Sequence, residues 1–311
     1  MLQTPNIESI ATLLERELEG AISSQVHLLA EASEHIIRAG GKRIRPQIVL
    51  LAYKAVGGQD VACAIPVAAA VELIHTASLI HDDINDRSGL RRGRPTVNAR
   101  WGNTAALLTG DFIFGRLMQL IGSFDAKIIQ VLANACVSIV EGETRQMLTL
   151  GDIHMTEETY LEIVHQKTAS LFAASAETGG IIGQTTELQT RALAEYGFNL
   201  GMAFQIKDDA LDYVGGVDRL GKPVTLDLAQ GKVSLPIIAA LRKTERIKPA
   251  LRAQDAPEVT RLLQETGALA YAMDQAQTYA RKAQAALSAL CHSEARTALS
   301  QIADFAIARE V

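Results

Sequence analysis

Apolar residues recur at intervals of three and four along almost the whole chain, and this spacing limits its fold more than any other feature. Such spacing lines one face of an α-helix, whereas a half-buried strand requires strict alternation of apolar and polar residues. No sustained alternation occurs in the sequence. Aromatic residues make up only 5% of the chain, and alanine and leucine, both strong helix formers, fill long stretches. The sequence therefore predicts an all-α protein in which residues 1–311 form a single helical domain.

Composition and charge exclude several classes of protein. A chain of 311 residues with 48% hydrophobic residues can bury a large core, which excludes a disordered or fibrous protein. The 30 Lys and Arg residues are outnumbered by 35 Asp and Glu residues, which leaves a net charge of -5. No global basic field is available for nucleic acid, so any polyanionic ligand must be bound by a local cluster.

The cysteines and the apolar segments indicate the cellular compartment of the protein. The three cysteines form no Cys-x-x-Cys pair and are odd in number, which favours a reducing environment over a disulfide framework. The first 20 residues are acidic and do not resemble a secretion signal. The apolar run Val61–Val71 is interrupted by Pro66 and followed by Glu72, so no membrane-spanning segment is expected. We therefore expect a soluble, cytoplasmic protein.

Local signals mark the ends of several helices. Thr156 followed by two glutamates is typical of a helix N-terminus. The apolar residues after it predict a helix that stops at Gly179-Gly180. Four glycines, two prolines and two lysines between Gly215 and Pro236 predict a mobile loop that returns to helix at Ile237.

The most informative segments are two acidic triplets of identical spacing. Each is an Asp-Asp-x-x-Asp sequence that follows a long apolar helix, and the six residues are Asp82, Asp83, Asp86, Asp208, Asp209 and Asp212. Residues i and i+4 of a helix lie one above the other, so the first and last aspartates of each triplet stack their carboxylates on one side. A single triplet of this kind is more often a solvated acidic helix end. Two identical triplets favour a functional site.

Stacked carboxylates repel each other unless a cation neutralises them. Mg²⁺ prefers one or two carboxylates together with the oxygens of a phosphorylated substrate, so both triplets are predicted to bind Mg²⁺. His81, beside the first triplet, is expected to play a structural role because hard Mg²⁺ selects oxygen ligands.

Basic residues near the first triplet predict a diphosphate site. Arg91 and Arg92 follow it closely, and the segment 40–46 adds Lys42, Arg43 and Arg45. Planar guanidinium groups bind phosphate oxygens bidentately. The segment lacks the Gly-x-x-x-x-Gly-Lys-Ser/Thr pattern of a P-loop. Taken alone, it is as readily a basic helix start as a phosphate site.

The motifs together resemble the all-trans polyprenyl diphosphate synthase family. The resemblance extends from about Ala39 to Pro236. It includes Gly-Gly-Lys-Arg-Ile-Arg-Pro at 40–46, Glu72 to Asp83, Arg91-Arg92-Gly93, Lys167-Thr168, Phe204-Gln205 to Asp209, Gly221-Lys222 and Gly231-Lys232. It implies a large helical bundle of the isoprenoid synthase type with a central cavity, and usually a homodimer. It also implies that the two acidic helix ends face each other and share Mg²⁺, usually three ions per site.

The resemblance further implies a reaction and the role of each residue. An allylic diphosphate ionises, and the carbocation is attacked by isopentenyl diphosphate. Metal ions held by Asp82, Asp86 and Asp208 would neutralise the leaving diphosphate, with the other three aspartates as supports. Thr168 and Gln205 would place neutral oxygens beside the carbocation, and no side-chain base is required. The allylic diphosphate would be bound by Arg91, Lys167, Lys222 and Lys232, and isopentenyl diphosphate by Lys42, Arg45, His75 and Arg92.

Without the resemblance, several of these residues have ordinary structural interpretations. His75 would be a histidine satisfied in the core, and Lys167-Thr168 an exposed helix turn. Lys222 and Lys232 could simply solubilise a loop. Their glycine neighbours favour a closing lid. Thr225 stands where the family usually has glycine, which weakens the assignment of Lys222.

The helix that bears Asp82 predicts the length of the product. Ala77 and Ser78, five and four residues before Asp82, are small where short-chain members have aromatic residues, although small residues could also serve close helix packing. About 16 Å of helix separate Asp82 from Val71, room for roughly three isoprene units before Ile74 and Val71 obstruct the chain. The first triplet also lacks the insertion of bacterial short-chain members. We expect a product of thirty to fifty carbons, as a quinone side chain requires.

Four other functions remain open at this point. The chain could be a geranylgeranyl diphosphate synthase or the catalytic subunit of a heteromeric prenyl synthase. A class I terpene cyclase would have an Asn/Ser/Glu second metal motif, and a non-catalytic prenyl-binding subunit would have lost its acidic motifs. Both triplets are complete here, which disfavours the last two.

Overall fold

The structure is a computed structural model that describes residues 7–214 and 226–308. The prediction of an all-α protein is confirmed. Among the described residues the only strands are two short ones, β1 (Leu90–Arg91) and β2 (Arg94–Pro95), which pair as an antiparallel hairpin. Contacts divide the chain into two compact units, residues 1–136 with 174–190, and residues 137–173 with 191–311. The single-domain organisation stays a prediction, and each unit is described by itself.

The first unit is built around one apolar helix, α4, which packs against α1, α3 and α6. The helices that lie wholly or partly in this unit are α1 (Ile7–Ala21), α2 (His27–Arg38), α3 (Ile44–Ala55), α4 (Ile65–Asn85), α5 (Val97–Trp101), α6 (Asn103–Ile121), α7 (Ala126–Leu148), α9 (Ser170–Ile182) and α10 (Glu187–Leu211). A short 3₁₀ turn, Val61–Cys63, precedes α4, and Pro66 lies in its first turn, where a missing N–H costs nothing. Most of α4 is buried, and most residues of its C-terminal end are half-buried or exposed.

The second unit contains the rest of α7, α9 and α10, and the helices of the C-terminal half. They are α8 (Glu157–Val164), a π-helical turn (His165–Ala169), α11 (Leu226–Ala229), α12 (Leu235–Leu241), α13 (Ile247–Arg252), α14 (Ala256–Glu265), α15 (Ala268–Ala286), a 3₁₀ turn (Leu287–Ala289) and α16 (Glu294–Ala308). Their apolar faces form one core in which α12 packs against α8, α14 and α15. The predicted cap is present, since the Thr156 hydroxyl accepts a hydrogen bond from the Thr159 N–H at 3.1 Å.

The predicted helix stop at Gly179-Gly180 is wrong, because α9 continues to Ile182. A Cβ atom on Gly179 would lie 2.4 Å from the carbonyl oxygen of Val49 and 2.7 Å from the side chain of Ala52. Gly179 therefore allows the backbones of α9 and α3 to approach closely. The predicted loop between Gly215 and Pro236 contains α11, and α12 begins at Leu235 rather than at Ile237. Lys222 and Thr225 lie outside the described residues.

Two helical segments are long and apolar enough to span a membrane by length and composition alone, Val61–Asn85 and Asn103–Ile121. The expectation that no segment spans a membrane stays a prediction. In the most apolar window of Val61–Asn85, 72% of the residues are buried inside the protein, against 39% for Asn103–Ile121. Core helices of this kind meet the same criteria, so the two segments are weak indications of a membrane span.

Candidate active site

The first triplet lies at the C-terminal end of α4. Asp82 and Asp83 belong to its last turn and Asp86 follows it, with the Asp86 N–H donating to the Asp82 carbonyl at 2.8 Å. The one-turn separation stacks Asp82 and Asp86, and both side chains are half-buried. Asp83 differs from them because it is fully buried.

Asp83 binds the hairpin rather than facing solvent. The Arg91 Nε donates to both carboxylate oxygens of Asp83, at 2.9 and 3.0 Å, and Nη2 lies 2.8 Å from Oδ1. Burial raises the pKa of Asp83, and the Arg91 guanidinium opposes that shift. The triplet thus contains two half-buried carboxylates and one that fixes an arginine.

The turn of the hairpin places Arg92 over the glycine-rich segment. Arg92 and Gly93 both have positive φ angles, 51° and 76°. A Cβ atom on Gly41 would lie 2.7 Å from Nη1 of Arg92, so a larger residue at 41 would displace this guanidinium. Gly41 is needed for close approach of the side chain of Arg92 to the backbone.

Arg43 fixes the segment between Lys42 and Arg45. Its backbone is left-handed, with φ 47°, and it caps the N-terminus of α3. Its guanidinium lies 2.7 Å from the buried carboxylate of Glu72 and 3.0 Å from that of Glu15, and it donates to the Ile37 carbonyl at 2.9 Å. The pairing of Arg43 with Glu72 is not predicted from the sequence, because an Arg and a Glu far apart in sequence give no signal that they pair.

His75 lies two turns before Asp82 on α4, in a cleft of the first unit that is also lined by Gly40, Arg43, Arg91, Arg92 and Arg94. Burial lowers the pKa of His75 well below 6.5, and the charges of Arg45, Arg92, Arg91 and Arg43 lower it further. His75 is therefore neutral at pH 7 among positively charged groups. Of the residues predicted to bind isopentenyl diphosphate, His75 and Arg92 line the same cleft. Arg45 lies near enough to lower the pKa of His75.

The residues predicted to set product length lie along α4 before the first triplet. Val71, Ile74 and Ala77 are buried in the first unit. Ser78 is half-buried, and its hydroxyl donates to the His75 carbonyl at 2.8 Å. The small residues are thus on the helix that presents the aspartates, as their spacing predicted.

The second triplet lies at the C-terminal end of α10. The Asp212 N–H donates to the Asp208 carbonyl at 3.1 Å, so these two aspartates again stand one turn apart. Both are half-buried, and Asp212 accepts a hydrogen bond from the Asp227 N–H at 3.2 Å. Asp209, the middle residue, is buried.

Asp209 is held by neutral donors. The Tyr160 hydroxyl donates to Oδ2 at 2.6 Å, and the Gln205 amide donates to Oδ1 at 2.7 Å. The carbonyl of the Gln205 side chain accepts from the Thr168 hydroxyl at 2.9 Å. Burial and the charge of Asp227 raise the pKa of Asp209, and the two hydrogen bonds oppose the shift. Tyr160 is not among the predicted site residues, because a tyrosine on an amphipathic helix is usually an ordinary core residue.

A π-helical turn positions Lys167 and Thr168. It interrupts the helix that begins with α8 and resumes as α9, as π-helical turns often do at functional sites. A Cβ atom on Gly142 of α7 would lie 2.6 Å from the Lys167 backbone nitrogen, so α7 packs directly on the turn. Lys167 forms an ion pair with Glu143 and donates to the side chain of Gln146 at 2.7 Å.

A cleft in the second unit joins these groups. Its lining includes Lys167, Thr168, Gln205, Asp209 and Lys232. The Nζ of Lys232 lies 3.8 Å from the Asp227 carboxylate. The cleft combines two cations with neutral oxygen atoms beside the second triplet. Such a set can bind an anionic group and stabilise positive charge on a carbon next to it.

The donor set of both triplets fits a hard cation. Each triplet presents two stacked carboxylates one turn apart, which are the ligands that Mg²⁺ prefers. Within the ranges 7–214 and 226–308, no three His, Cys, Asp or Glu side chains cluster as a complete metal site. A metal at these positions would need further oxygen ligands, such as those of a diphosphate.

Comparison with known proteins agrees with the motifs. The family model described as polyprenyl synthetase matches residues 26–266. The chain is 42% identical to a short chain isoprenyl diphosphate synthase of Methanothermobacter thermautotrophicus, over 91% of this chain and 90% of that protein. It is 39% identical to an octaprenyl diphosphate synthase of Haemophilus influenzae, over 93% and 90% of the two chains.

A solved structure shows the same fold. The polyprenyl synthase from Caulobacter crescentus CB15, crystallised with calcium and isoprenyl diphosphate, matches with a TM-score of 0.92 at 37% identity, over 98% of this chain and 96% of that one. The predicted fold of the isoprenoid synthase type is therefore confirmed.

Proposed function

The chain belongs to the polyprenyl synthetase family, and we propose that it condenses isopentenyl diphosphate with an allylic prenyl diphosphate to form an all-trans polyprenyl diphosphate. The observation that supports this most directly is the cleft of the second unit, where cations, neutral oxygens and an acidic triplet lie together. The roles of the individual site residues are part of the same proposal.

We assign the allylic diphosphate to the cleft of the second unit. Lys167 and Lys232 supply positive charge for the diphosphate oxygens, together with Lys222, which lies outside the described residues. Thr168 and Gln205 supply neutral oxygens for the carbon that becomes cationic when the diphosphate leaves. A neutral oxygen stabilises that carbon without offering an anion that would react with it. Arg91 is assigned to the same diphosphate on the family pattern alone.

We assign isopentenyl diphosphate to the cleft of the first unit. Arg92, Arg45 and Lys42 provide charge, and the neutral His75 provides a hydrogen-bonding group. A diphosphate that enters this cleft meets the guanidinium groups of Arg43 and Arg91, which Glu72 and Asp83 hold in place. The preorganised arginines reduce the entropy lost on binding.

We propose that the half-buried aspartates of both triplets bind Mg²⁺, in line with the general metal use of the family. When bound, Mg²⁺ neutralises the charge that develops on the leaving diphosphate. Asp83 and Asp209 support neighbouring groups, since each is buried and hydrogen-bonded within its own unit.

The proposed product has thirty to fifty carbons. The relatives include a short chain and an octaprenyl diphosphate synthase, so family membership by itself does not set the length. The small side chains of Ala77 and Ser78 favour a longer product than farnesyl diphosphate, with Ile74 and Val71 as the next limits. Geranylgeranyl diphosphate synthesis is the alternative.

We further propose a cytoplasmic homodimer. All three cysteines, Cys63, Cys136 and Cys291, are free, which agrees with a reducing compartment. In the first unit α6 exposes Leu107, Leu108, Phe114 and Met118, and these apolar side chains favour a second copy as the partner. A heteromeric partner would use the same kind of surface.

The test is elongation by the purified protein alone. We expect incubation with Mg²⁺, isopentenyl diphosphate and farnesyl or geranylgeranyl diphosphate to give products of thirty to fifty carbons, sized by chromatography. No elongation without a second protein would favour the heteromeric subunit. Diphosphate release without use of isopentenyl diphosphate would favour a cyclase.

The length assignment has a test of its own. Ala77→Phe is expected to shorten the product by at least one five-carbon unit. Ala77 lies five residues before Asp82 on α4, and the added ring would obstruct the growing chain there. Thr76→Ser, at a buried position next along the helix, serves as the control with unchanged length. An unchanged product in Ala77→Phe would remove Ala77 from the set that limits growth.

A further inference from the structure

Four side chains of the second unit form a continuous chain of hydrogen bonds. It runs from Tyr160 of α8 to Asp209 and Gln205 of α10 and ends at Thr168 of the π-helical turn. Its three distances are 2.6, 2.7 and 2.9 Å, and Tyr160, Thr168 and Asp209 are buried. Thr168 and Gln205 are assigned to the reacting carbon, which leaves the function of Tyr160 to be explained.

The chemistry of each group sets the direction of every bond. An ionised carboxylate can only accept, so with Asp209 ionised both Tyr160 and Gln205 donate to it. Because the NH₂ group of Gln205 faces Asp209, its carbonyl oxygen faces Thr168. Thr168 has a single hydroxyl proton, and that proton is used by the Gln205 carbonyl. The lone pairs of Thr168 therefore remain for the cleft.

This direction matters for a carbocation. If Gln205 turned its amide around, its NH₂ group would donate to Thr168, whose own proton could then point into the cleft. A proton there would bring positive charge toward a carbon that is itself becoming positive. The carboxylate of Asp209 prevents that reversal as long as it keeps its position.

Tyr160 keeps the carboxylate in position. Its hydroxyl satisfies Oδ2, the oxygen that Gln205 does not bind, and its ring packs in the core of the unit beside Ile163 and Val164. Without this hydroxyl a buried carboxylate oxygen would lose its donor, and Asp209 would turn toward other donors at the expense of its bond to Gln205.

We propose that Tyr160 is a positioning residue that, through Asp209, fixes the donor and acceptor direction of Gln205 and Thr168, so that Thr168 offers lone pairs to the allylic carbon. The proposal deepens the proposed function and rests on it. Tyr160 lines the cleft but has no assigned contact with either substrate, so its effect should fall on turnover rather than on affinity.

The test compares two buried tyrosines of the same unit. Tyr160→Phe removes the hydroxyl that binds Asp209, and Tyr196→Phe removes one that donates to the Leu299 carbonyl at 2.7 Å, away from the hydrogen-bond chain. We expect kcat to fall on the order of tenfold in Tyr160→Phe, with KM for both diphosphates within about twofold of wild type. Tyr196→Phe should lower thermal stability about as much as Tyr160→Phe does, and should leave kcat unchanged.

A double-mutant cycle then separates positioning from a purely structural effect. In a Thr168→Val background the lone pairs are already lost, so Tyr160→Phe should lower kcat by less than about twofold further. An additive effect would overturn the proposal, as would an unchanged kcat in Tyr160→Phe. Failure of Tyr160→Phe to fold, where Tyr196→Phe folds, would assign the hydroxyl a structural role and overturn it too. Absence of elongation by the wild-type protein would instead contradict the proposed function.

Discussion

The two acidic helix ends share one sequence pattern but support their middle aspartate differently. In the first unit Asp83 binds the charged guanidinium of Arg91, whereas in the second unit Asp209 binds the neutral groups of Tyr160 and Gln205. In both units the outer aspartates are half-buried and stand one turn apart. The comparison shows that each repeated triplet consists of two half-buried carboxylates one turn apart and one buried carboxylate that orients a neighbour.

The kind of neighbour matches the task proposed for each unit. Arg91 is proposed to supply charge for the allylic diphosphate, and a buried carboxylate is a suitable support that fixes its guanidinium. Gln205 and Thr168 are proposed to stabilise positive charge on carbon, and Asp209 orients them through its hydrogen bond with Gln205. The middle aspartate of the motif therefore orients a guanidinium group in the first unit and neutral hydrogen-bonding groups in the second.

The largest effect is expected from the outer aspartates. Asp82→Ala and Asp208→Ala should each lower kcat by at least about a thousandfold, because each removes a carboxylate proposed to bind Mg²⁺. Circular dichroism should show an unchanged helix content. Glu31→Ala, which removes an exposed carboxylate of α2, is the control and should retain activity. Activity near that of wild type in either variant would contradict metal binding at that residue.

The middle aspartates should respond in different ways. Asp83→Asn leaves the Arg91 guanidinium without its buried anionic partner, and we expect the free energy of unfolding to fall by about 2 kcal/mol. Asp209→Asn keeps an acceptor oxygen and should cost about 1 kcal/mol. Urea unfolding measures both values.

Steady-state kinetics of the same two variants sharpens the contrast. We expect Asp83→Asn to raise KM for a diphosphate substrate and Asp209→Asn to lower kcat, because the first orients a charge and the second orients Gln205. Identical kinetic changes in the two variants would show that the middle aspartates do not differ as their partners indicate.

The cations of the two clefts offer a third comparison. Arg91 is paired with a buried aspartate, whereas Lys167 is paired with the more accessible Glu143. Glu143 competes with a diphosphate for Lys167, so Glu143→Gln should lower KM for the allylic diphosphate about two- to fivefold. Glu141→Gln, on the same helix but hydrogen-bonded to Gln166, is the matched control. A raised KM in Glu143→Gln would mean that Glu143 orients Lys167 instead.

The smallest effect concerns pH and the first cleft. The pKa of His75 is lowered in the folded state. As the pH falls below 6.5, His75 is therefore protonated in the unfolded chain but stays neutral in the folded chain. Stability from this group is complete above pH 6.5 and decreases below it. When the pH is lowered from about 7.5 to 5.5, the free energy of unfolding of His75→Gln should decrease by about 1 kcal/mol less than that of wild type.

The control for this measurement is His27→Gln, which changes an exposed histidine of α2. It should follow the wild-type pH dependence in urea unfolding. Equal pH dependence of His75→Gln and wild type would contradict the lowered pKa of His75.

Local spacing was sufficient to predict the helices and the stacked aspartates. The apolar periodicity of α4, the cap at Thr156 and the one-turn separation of Asp82 and Asp86 depend only on residues near each other in sequence. The family resemblance added the roles of Lys167, Thr168 and Gln205, which stay predictions although the structure brings the three into one cleft with Asp209.

Features that depend on tertiary contact could not be predicted in this way. Gly179 lies inside a helix and allows α3 to approach closely, and the wrong helix stop came from treating the glycine as a local signal. Tyr160 and Arg43 acquire their partners only when distant segments pack, at Asp209 and at Glu72. The spacing of residues in a single sequence does not indicate which distant residues will pair.

The π-helical turn at His165–Ala169 has a consequence for how the cleft could be altered. Consecutive residues of an α-helix point about 100° apart, yet Lys167 and Thr168 both line the same cleft. The widened turn holds one residue more than an α-helical path of the same length would, so removing a single residue there would restore regular winding and rotate one of the two side chains away. The arrangement is thus sensitive to a one-residue deletion in a way that ordinary substitutions at neighbouring positions would not reproduce.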